Sequence, residues 1–98
     1  MNEIRLYCGE QGWAVIRANV GKFLLADGRF FDTGLPKGWP DLMVIIPGGH
    51  VVFVETKIKP RKPTKEQKQR LNWLNTMGFK AFVCYDIKTF VNETYEYV

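Results

Sequence analysis

Two short apolar runs near the middle of the chain are the clearest structural signal in the sequence. Residues 41–46 and 51–57 are rich in β-branched and other apolar side chains, and the sequence PGGH at residues 47–50 separates them. Two such runs joined by a proline and glycine cluster predict a β-hairpin. An antiparallel hairpin sets the start of its first strand beside the end of its second. Asp41, at the start of the first run, is therefore expected beside the end of the second.

The length of the turn decides which side chains share a face of this hairpin. Directly opposed residues of an antiparallel pair project to the same face, and successive residues along a strand alternate between faces. A three-residue loop puts Asp41 opposite Glu55, and a five-residue loop puts it opposite Lys57. Either loop leaves these three side chains on one face, whereas a loop with an even number of residues would separate Asp41 from the other two.

The carboxylates of Asp41 and Glu55 and the ammonium of Lys57 lie at the ends of apolar strands. Burying their charges is costly unless they are paired or bound to a metal. A divalent cation held by Asp41, Glu55 and the backbone carbonyl of Thr56 would compensate the two carboxylates, and such oxygen ligands favour Mg²⁺ or Mn²⁺. Lys57 would then orient or help to deprotonate an attacking water and stabilise the transition state. The alternative is that Asp41 caps a strand while Glu55 and Lys57 form an ordinary ion pair.

The pattern before the hairpin predicts one helix, one strand and an irregular segment. Apolar residues at helical spacing predict a helix over about residues 2–11, and residues 13–20 alternate as a strand that should pair with the hairpin. Glycines interrupt residues 21–39, where a short hairpin around residues 27–28 fits the pattern. So long a connection is usually functional or mobile, and this one would either fold over the active face or pack against a second subunit.

The pattern after the hairpin predicts a helix followed by a parallel strand. The capping-box sequence TKEQ at residues 64–67 begins a helix that ends near residue 77. The buried run 79–85 is expected to lie parallel to the strand before that helix, because a helix connects the two. Residues 86–92 suggest one or two further helical turns, and residues 94–98 suggest a short edge strand or a tail.

Two further polar residues are candidates for the site. Gln67, Leu71 and Leu74 share one helix stripe, so Gln67 is expected to face the sheet and reach the nucleophilic water or a phosphate. The alternative is that Gln67 serves only as the reciprocal half of the capping box. Glu3 on the first helix is a candidate additional acid, although a glutamate there is ordinarily a simple surface charge.

Positive charge is concentrated beside the candidate site. The chain carries a formal net charge of +4, and residues 57–70 contain a block of lysines and arginines with Glu66 as its one acid. Such a block predicts contacts with the phosphates of a polyanion. The alternative is a solvated, lysine-rich loop and helix face. The basic residues expected to bind DNA are Arg17, Lys22, Lys37, Lys59, Arg61, Lys62 and Lys65.

Length and composition limit the class of protein. The chain has 98 residues, of which 46% are hydrophobic and 24% charged, which is typical of one soluble domain. Its apolar runs are shorter than the roughly 20 residues that cross a bilayer, and no signal-peptide core follows Met1, so we expect a cytoplasmic protein without a membrane partner. Cys8 and Cys84 lack neighbouring Cys or His partners, so neither a zinc site nor a disulfide framework is expected.

The ordered set of these motifs resembles the VRR-NUC domain of the PD-(D/E)XK nuclease superfamily. The resemblance implies that residues 1–98 form a single nuclease domain of the α/β class. Its restriction-endonuclease-like core would be a mixed β-sheet, an antiparallel hairpin plus a parallel crossover strand, flanked by helices. The segments that carry the resemblance are GWPD at 38–41, PGG at 47–49, FVETK at 53–57, TKEQ at 64–67 and GF at 78–79, with Arg17, Asn19 and Gly21 upstream.

The same resemblance assigns roles to residues of the hairpin and the following helix. Asp41 and Glu55 would bind Mg²⁺ or Mn²⁺, Lys57 would be the catalytic lysine, and Gln67 would be the helix glutamine. The family often has an acid on its first helix, a position to which Glu3 is the nearest candidate.

Small stand-alone members of this family, from phages and bacteria, are similar in length to this chain. The resemblance to these members implies a homodimer that cuts branched DNA such as Holliday junctions. It also implies that no small-molecule cofactor is needed and that the protein acts in a bacterial or phage-infected cell. So small a chain should recognise DNA shape and phosphates rather than base edges. The alternatives are a non-catalytic nucleic-acid-binding module, an interaction module of a phage complex that uses residues 21–39, and a nuclease that acts on flaps or linear duplex.

Overall fold

A computed structural model of the chain describes residues 2–18 and 22–98, which form helices packed on both faces of a central sheet. Asn19 and Gly21, both part of the resemblance, lie outside the described residues, as does the side chain of Lys22. The elements in chain order are α1 (Asn2–Gln11), β1 (Ala14–Arg17), β2 (Lys22–Leu24), β3 (Phe30–Asp32), β4 (Leu42–Ile46), β5 (His50–Thr56), α2 (Lys65–Thr76), β6 (Lys80–Cys84), α3 (Ile87–Thr94) and a final 3-10 helix (Tyr95–Tyr97).

The central sheet is mixed and has the strand order β1-β4-β5-β6. Strands β1 and β4 are antiparallel, as are β4 and β5, whereas β5 and β6 are parallel and joined through α2. This arrangement confirms the predicted fold class. Strands β2 and β3 form a separate two-stranded antiparallel ribbon, which is the hairpin expected around residues 27–28.

The turn between β4 and β5 has three residues, 47–49, with Ile46 opposite His50. Its two glycines have φ values of 97° and 83°, in the left-handed region that glycine adopts without a steric penalty. The register is therefore that of the three-residue alternative. Continued to the other end of the hairpin, it sets Asp41 opposite Glu55.

Alternation along the strands divides the core between the two faces of the sheet. Burial of each large apolar side chain in these layers contributes roughly 1.5–3 kcal/mol to the stability of the folded state. A stable domain therefore needs the apolar side chains of both faces. The face towards α1 and α3 buries Leu42, Val44, Ile46, Val52 and Val54 with Ile4, Cys8, Trp13, Cys84 and Phe90. The face towards α2 buries Phe53 and Ala81 with Leu71 and Leu74.

The C-terminal segment differs from one sequence expectation. Residues 95–97 form a 3-10 helix after α3, so the edge-strand alternative for this segment is wrong. The cause lies in Lys80 of β6, whose Nζ donates to the carbonyl of Glu93 at 2.7 Å and also bonds the Glu96 carboxylate. These contacts hold the end of the chain in helical turns across the sheet edge. Of the helices in the described residues, none is long and apolar enough to cross a membrane.

Candidate active site

Asp41 is fixed at the point where the ends of β4 and β5 meet. Its Oδ1 accepts a hydrogen bond of 2.8 Å from the backbone N–H of Thr56, and its Oδ2 accepts one from the Thr56 hydroxyl. The backbone N–H of Ala18 donates to the Asp41 carbonyl at 2.8 Å, which ties the residue to the end of β1 as well. The side chain of Asp41 is thus held by the end of β5 and its backbone by the end of β1.

Glu55 lies beside this carboxylate and is almost fully buried, with 5% of its surface exposed. Its Oε2 lies 3.8 Å from the Nζ of Lys57. Burial of the Glu55 carboxyl and, second, the charge of Asp41 raise the pKa of Glu55 to about 7, although Lys57 and the Asp41 backbone act in the opposite direction. A buried carboxyl beside a second carboxylate is a place where a proton or a cation is favoured.

The oxygen atoms at this point fit Mg²⁺ or Mn²⁺. In an extended strand the N–H and the carbonyl of one residue point to the same side, so the Thr56 carbonyl is expected on the side of Asp41, to which its N–H donates. No cluster of three or more His, Cys, Asp or Glu side chains suited to a metal occurs in the described residues. Two carboxylates and one carbonyl are nevertheless the donor set that Mg²⁺ commonly takes from a protein, with water and phosphate oxygens completing the shell.

Gln67 occupies the capping box of α2. Its Oε1 accepts a hydrogen bond of 2.9 Å from the Thr64 N–H, and the Thr64 hydroxyl oxygen accepts one of 3.2 Å from the Gln67 N–H. No hydrogen bond joins Gln67 to Asp41, Glu55 or Lys57 within the described part of the chain. The capping role is therefore realised, and it leaves the Nε2 of the amide for any contact with substrate.

A cavity of about 440 Å³ adjoins the ends of β5 and β6. Its lining brings Glu3 of α1 to the same concave surface as Thr56 and Lys57 and adds the guanidinium-bearing residues Arg17 and Arg61. Two arginines and a lysine outnumber the two acids of the lining, Glu3 and Asp86, so the cavity favours an anionic ligand. Glu3 is the candidate acid of the first helix, and it reaches this surface.

The other predicted basic residues lie on the loop after β5, on α2 and before β4. The Tyr85 hydroxyl fixes the loop by donating to the Arg61 carbonyl at 2.9 Å, and Lys59 Nζ lies 5.8 Å from the Tyr85 ring centroid. Lys37 lies before β4, and its Nζ pairs with Glu66 of α2 at 3.6 Å. The exposed basic side chains of the loop and the first turn of α2 are those of Lys59, Arg61, Lys62 and Lys65.

Arg70 belongs to the basic block of residues 57–70 and was not among the predicted site residues. The structure sets its guanidinium against the rings of Trp39 and Trp73. The contact of Arg70 with Trp73 could be predicted from the sequence, because positions 66, 70 and 73 have the spacing of one helix face. The contact with Trp39 could not, because it joins α2 to the segment before β4.

The fold and the site together define a restriction-endonuclease-like α/β domain. Among solved structures the chain is similar to a VRR_NUC domain, with a TM-score of 0.69 and 26% sequence identity, over 97% of this chain and 88% of the other. No protein-family model and no curated protein sequence matches the chain. The structural similarity supports a VRR-NUC domain, which belongs to a nuclease domain family, and confirms the resemblance indicated by the sequence motifs.

Proposed function

We propose that this chain is a metal-dependent DNA endonuclease that hydrolyses phosphodiester bonds at the hairpin site. The observation that supports this most strongly is the meeting of Asp41 and Glu55 at the paired strand ends, with Lys57 Nζ 3.8 Å from the Glu55 carboxyl. The raised pKa of Glu55 is evidence that its buried carboxyl lacks full compensation from the protein. A divalent cation would supply that compensation.

The roles of the residues follow from their atoms. Asp41, Glu55 and the Thr56 carbonyl would hold Mg²⁺ or Mn²⁺, which when bound polarises a phosphate oxygen and lowers the pKa of a water molecule. Lys57 orients the attacking water, assists its deprotonation and stabilises negative charge on the phosphate in the transition state. Gln67 positions the water or a phosphate oxygen through its Nε2, because its Oε1 stays in the capping box.

We further propose branched DNA, such as a Holliday junction, as the substrate and a homodimer as the active form. The proposal is supported by the distribution of charge: Arg17 and Arg61 line the cavity beside the site, and exposed lysines continue along the adjoining loop. Contacts of this kind bind phosphates and recognise shape rather than sequence. Two copies would supply one active site for each of two strands.

The test is cleavage of a four-way junction and of a linear duplex with the same sequence, in Mg²⁺, in Mn²⁺ and in EDTA. The wild-type chain should cut the junction only with metal, and Asp41→Asn and Lys57→Ala should bind the junction without cutting it. Lys88→Ala, which removes an exposed positive charge of α3 outside the predicted DNA contacts, is the matched control and should retain cleavage. Sedimentation of the junction complex should report two copies of the chain.

Two results would change the conclusion. If neither DNA is cut with either metal while both are bound, the chain is a non-catalytic nucleic-acid-binding module. If the linear duplex or a flapped duplex is cut as fast as the junction, the nuclease proposal stands and the branched-DNA proposal is wrong.

A further inference from the structure

Arg70 of α2 is held against two indole rings on one side of the hairpin site. Its guanidinium carbon lies 5.0 Å from the centroid of the Trp73 ring and 6.0 Å from that of the Trp39 ring. A guanidinium within about 6 Å of an indole centroid is attracted by the ring quadrupole. Arg70 is thus a positioned, planar cation rather than a freely moving surface charge.

Two nitrogen donors of this group have unused hydrogen-bonding capacity. The Nε of Arg70 and the Nε1 of Trp39 are buried and have no hydrogen-bond partner among the residues that the structure describes. Buried donors are bonded in the great majority of cases, and an unbonded donor raises the free energy of the folded state. Both atoms are covered by protein, so a ligand oxygen would bond to them only after the two side chains turn towards solvent, a movement that their missing hydrogen bonds favour.

A cavity of about 280 Å³ opens beside the two rings and is lined by Lys37, Glu66, Gln69, Arg70 and Trp73. The Trp73 ring borders it with 46% of the residue exposed. Lys37 is paired with Glu66 at 3.6 Å, so Arg70 is the remaining positive charge among these lining residues. A partly exposed indole with one planar cation over its ring suits a nucleotide, whose base stacks on the exposed surface of this pair and whose phosphate takes the charge.

The segment that borders this cavity leads along the chain into the hairpin site. Gly38 has a φ of 83°, and a Cβ at that position would lie 2.5 Å from the Glu66 carbonyl oxygen, so the segment before β4 packs closely on α2. The next residue, Trp39, packs edge-on against Phe53 with centroids 5.5 Å apart. Trp39 and Phe53 each precede one of the two site carboxylates by two residues, and in β5 the step from Phe53 to Glu55 is about 7 Å.

The geometry points to a nucleotide subsite, in which one unpaired nucleobase stacks on Trp73 beside Arg70 while a phosphodiester of the same strand lies at Asp41 and Glu55. The position of that strand rests on the proposed nuclease function. The subsite adds a reason for preferring branched DNA, because bases at a branch leave the duplex stack more easily than bases within a duplex. The ligand class is therefore a single-stranded or locally unpaired nucleic acid.

The test measures binding in EDTA, so that it is independent of cleavage. The probes are two fluorescent duplexes with a short single-stranded arm, one with thymidines in the arm and one with abasic residues. The wild-type chain should bind the thymidine arm roughly five- to a hundred-fold more tightly than the abasic arm. Trp73→Leu should remove the preference, Trp73→Phe should restore part of it, and Arg70→Lys should weaken it.

Tyr95→Leu is the matched control, because it removes an exposed aromatic side chain away from this cavity. It should keep the wild-type preference. Equal wild-type affinity for the two arms, or an unchanged preference in Trp73→Leu, would overturn the subsite. A change in sedimentation of Trp73→Leu with an unchanged arm preference would overturn it too and assign this face to a protein contact.

Failure of the subsite and failure of the nuclease proposal give different results. A chain that cuts the junction through Lys57 but shows no arm preference keeps the nuclease function and loses the subsite. A chain that prefers the thymidine arm but cuts no DNA with either metal keeps the subsite and loses the nuclease function.

Discussion

Replacing Glu55 by Gln separates the charge of this side chain from its packing. The carboxyl is 5% exposed, and burial followed by the charge of Asp41 raises its pKa from 4.5 to about 7. Because the folded protein then binds this proton more tightly than the unfolded chain, the stabilisation is fully present below about pH 4.5 and is lost as the pH rises through about 7. The shift corresponds to about 3 kcal/mol of unfolding free energy.

In EDTA at about pH 8, Glu55→Gln should therefore be more stable than the wild type by up to about 3 kcal/mol, or roughly 10–20 °C in Tm. The difference should shrink towards zero below about pH 4.5, where the carboxyl is mostly protonated in both the folded and the unfolded state. Added Mg²⁺ should raise the Tm of the wild type at the higher pH and leave the variant unchanged, because a ligand stabilises only the state that binds it.

Thermal unfolding followed by circular dichroism at the two pH values, with EDTA and with Mg²⁺, measures both effects. Glu10→Gln removes an exposed glutamate of α1 and should behave as the wild type throughout. If Glu55→Gln is less stable than the wild type in EDTA at the higher pH, the contact of 3.8 Å with Lys57 outweighs desolvation and the reasoning is wrong. If Mg²⁺ stabilises the two proteins equally, the ion binds elsewhere.

Three other changes test the hairpin surroundings, the helix cap and the basic loop. Gly38→Ala should lower the free energy of unfolding in urea by more than about 1 kcal/mol, because its φ is 83° and a Cβ would meet a backbone oxygen of α2 at 2.5 Å. Gly9→Ala is the control, because a Cβ there meets nothing within 4 Å. Equal losses of stability in the two variants would contradict the close packing of Gly38 on α2. Thr64→Ala should lower the free energy of unfolding by about 1 kcal/mol, because the helix cap is lost. Gln67→Glu should keep the capping box and the Tm but slow DNA cleavage. An unchanged cleavage rate in Gln67→Glu would show that Gln67 serves only as a cap. Arg61→Ala should reduce the slope of log affinity for a junction against log salt concentration by about one, and an unchanged slope would remove Arg61 from the DNA contacts.

The register of the hairpin shows how far local sequence determines this site. The pattern of the two apolar runs allowed a three-residue or a five-residue turn, and both kept Asp41 on the face of Glu55. The structure has the three-residue turn, in which two consecutive glycines take positive φ values. The paired hydrogen bonds from Thr56 to Asp41 were not predictable from alternation, because they depend on how the Asp41 side chain turns at the strand end.

Contacts between distant segments account for what the sequence pattern missed. The conformation of residues 94–98 depends on Lys80, which bonds the Glu93 carbonyl and the Glu96 carboxylate across the sheet edge. The contact of Arg70 with Trp39 likewise depends on the packing of the segment before β4 on α2. Periodicity describes each segment by itself and carries no information about such pairs.

The separate ribbon of β2 and β3 offers a position at which the chain can be lengthened without disturbing the hairpin. Its strands pair with each other, and its exposed tip, residues 25–29, is closed by a hydrogen bond of 2.7 Å from the Leu25 N–H to the Arg29 carbonyl. Longer surface loops cost little additional closure entropy, and exposed tips accept insertions best. A short epitope or fluorophore peptide inserted between Asp27 and Gly28 should therefore leave the unfolding temperature and the spacing of Asp41 and Glu55 unchanged. This tip is thus a suitable position for attaching the protein to a surface.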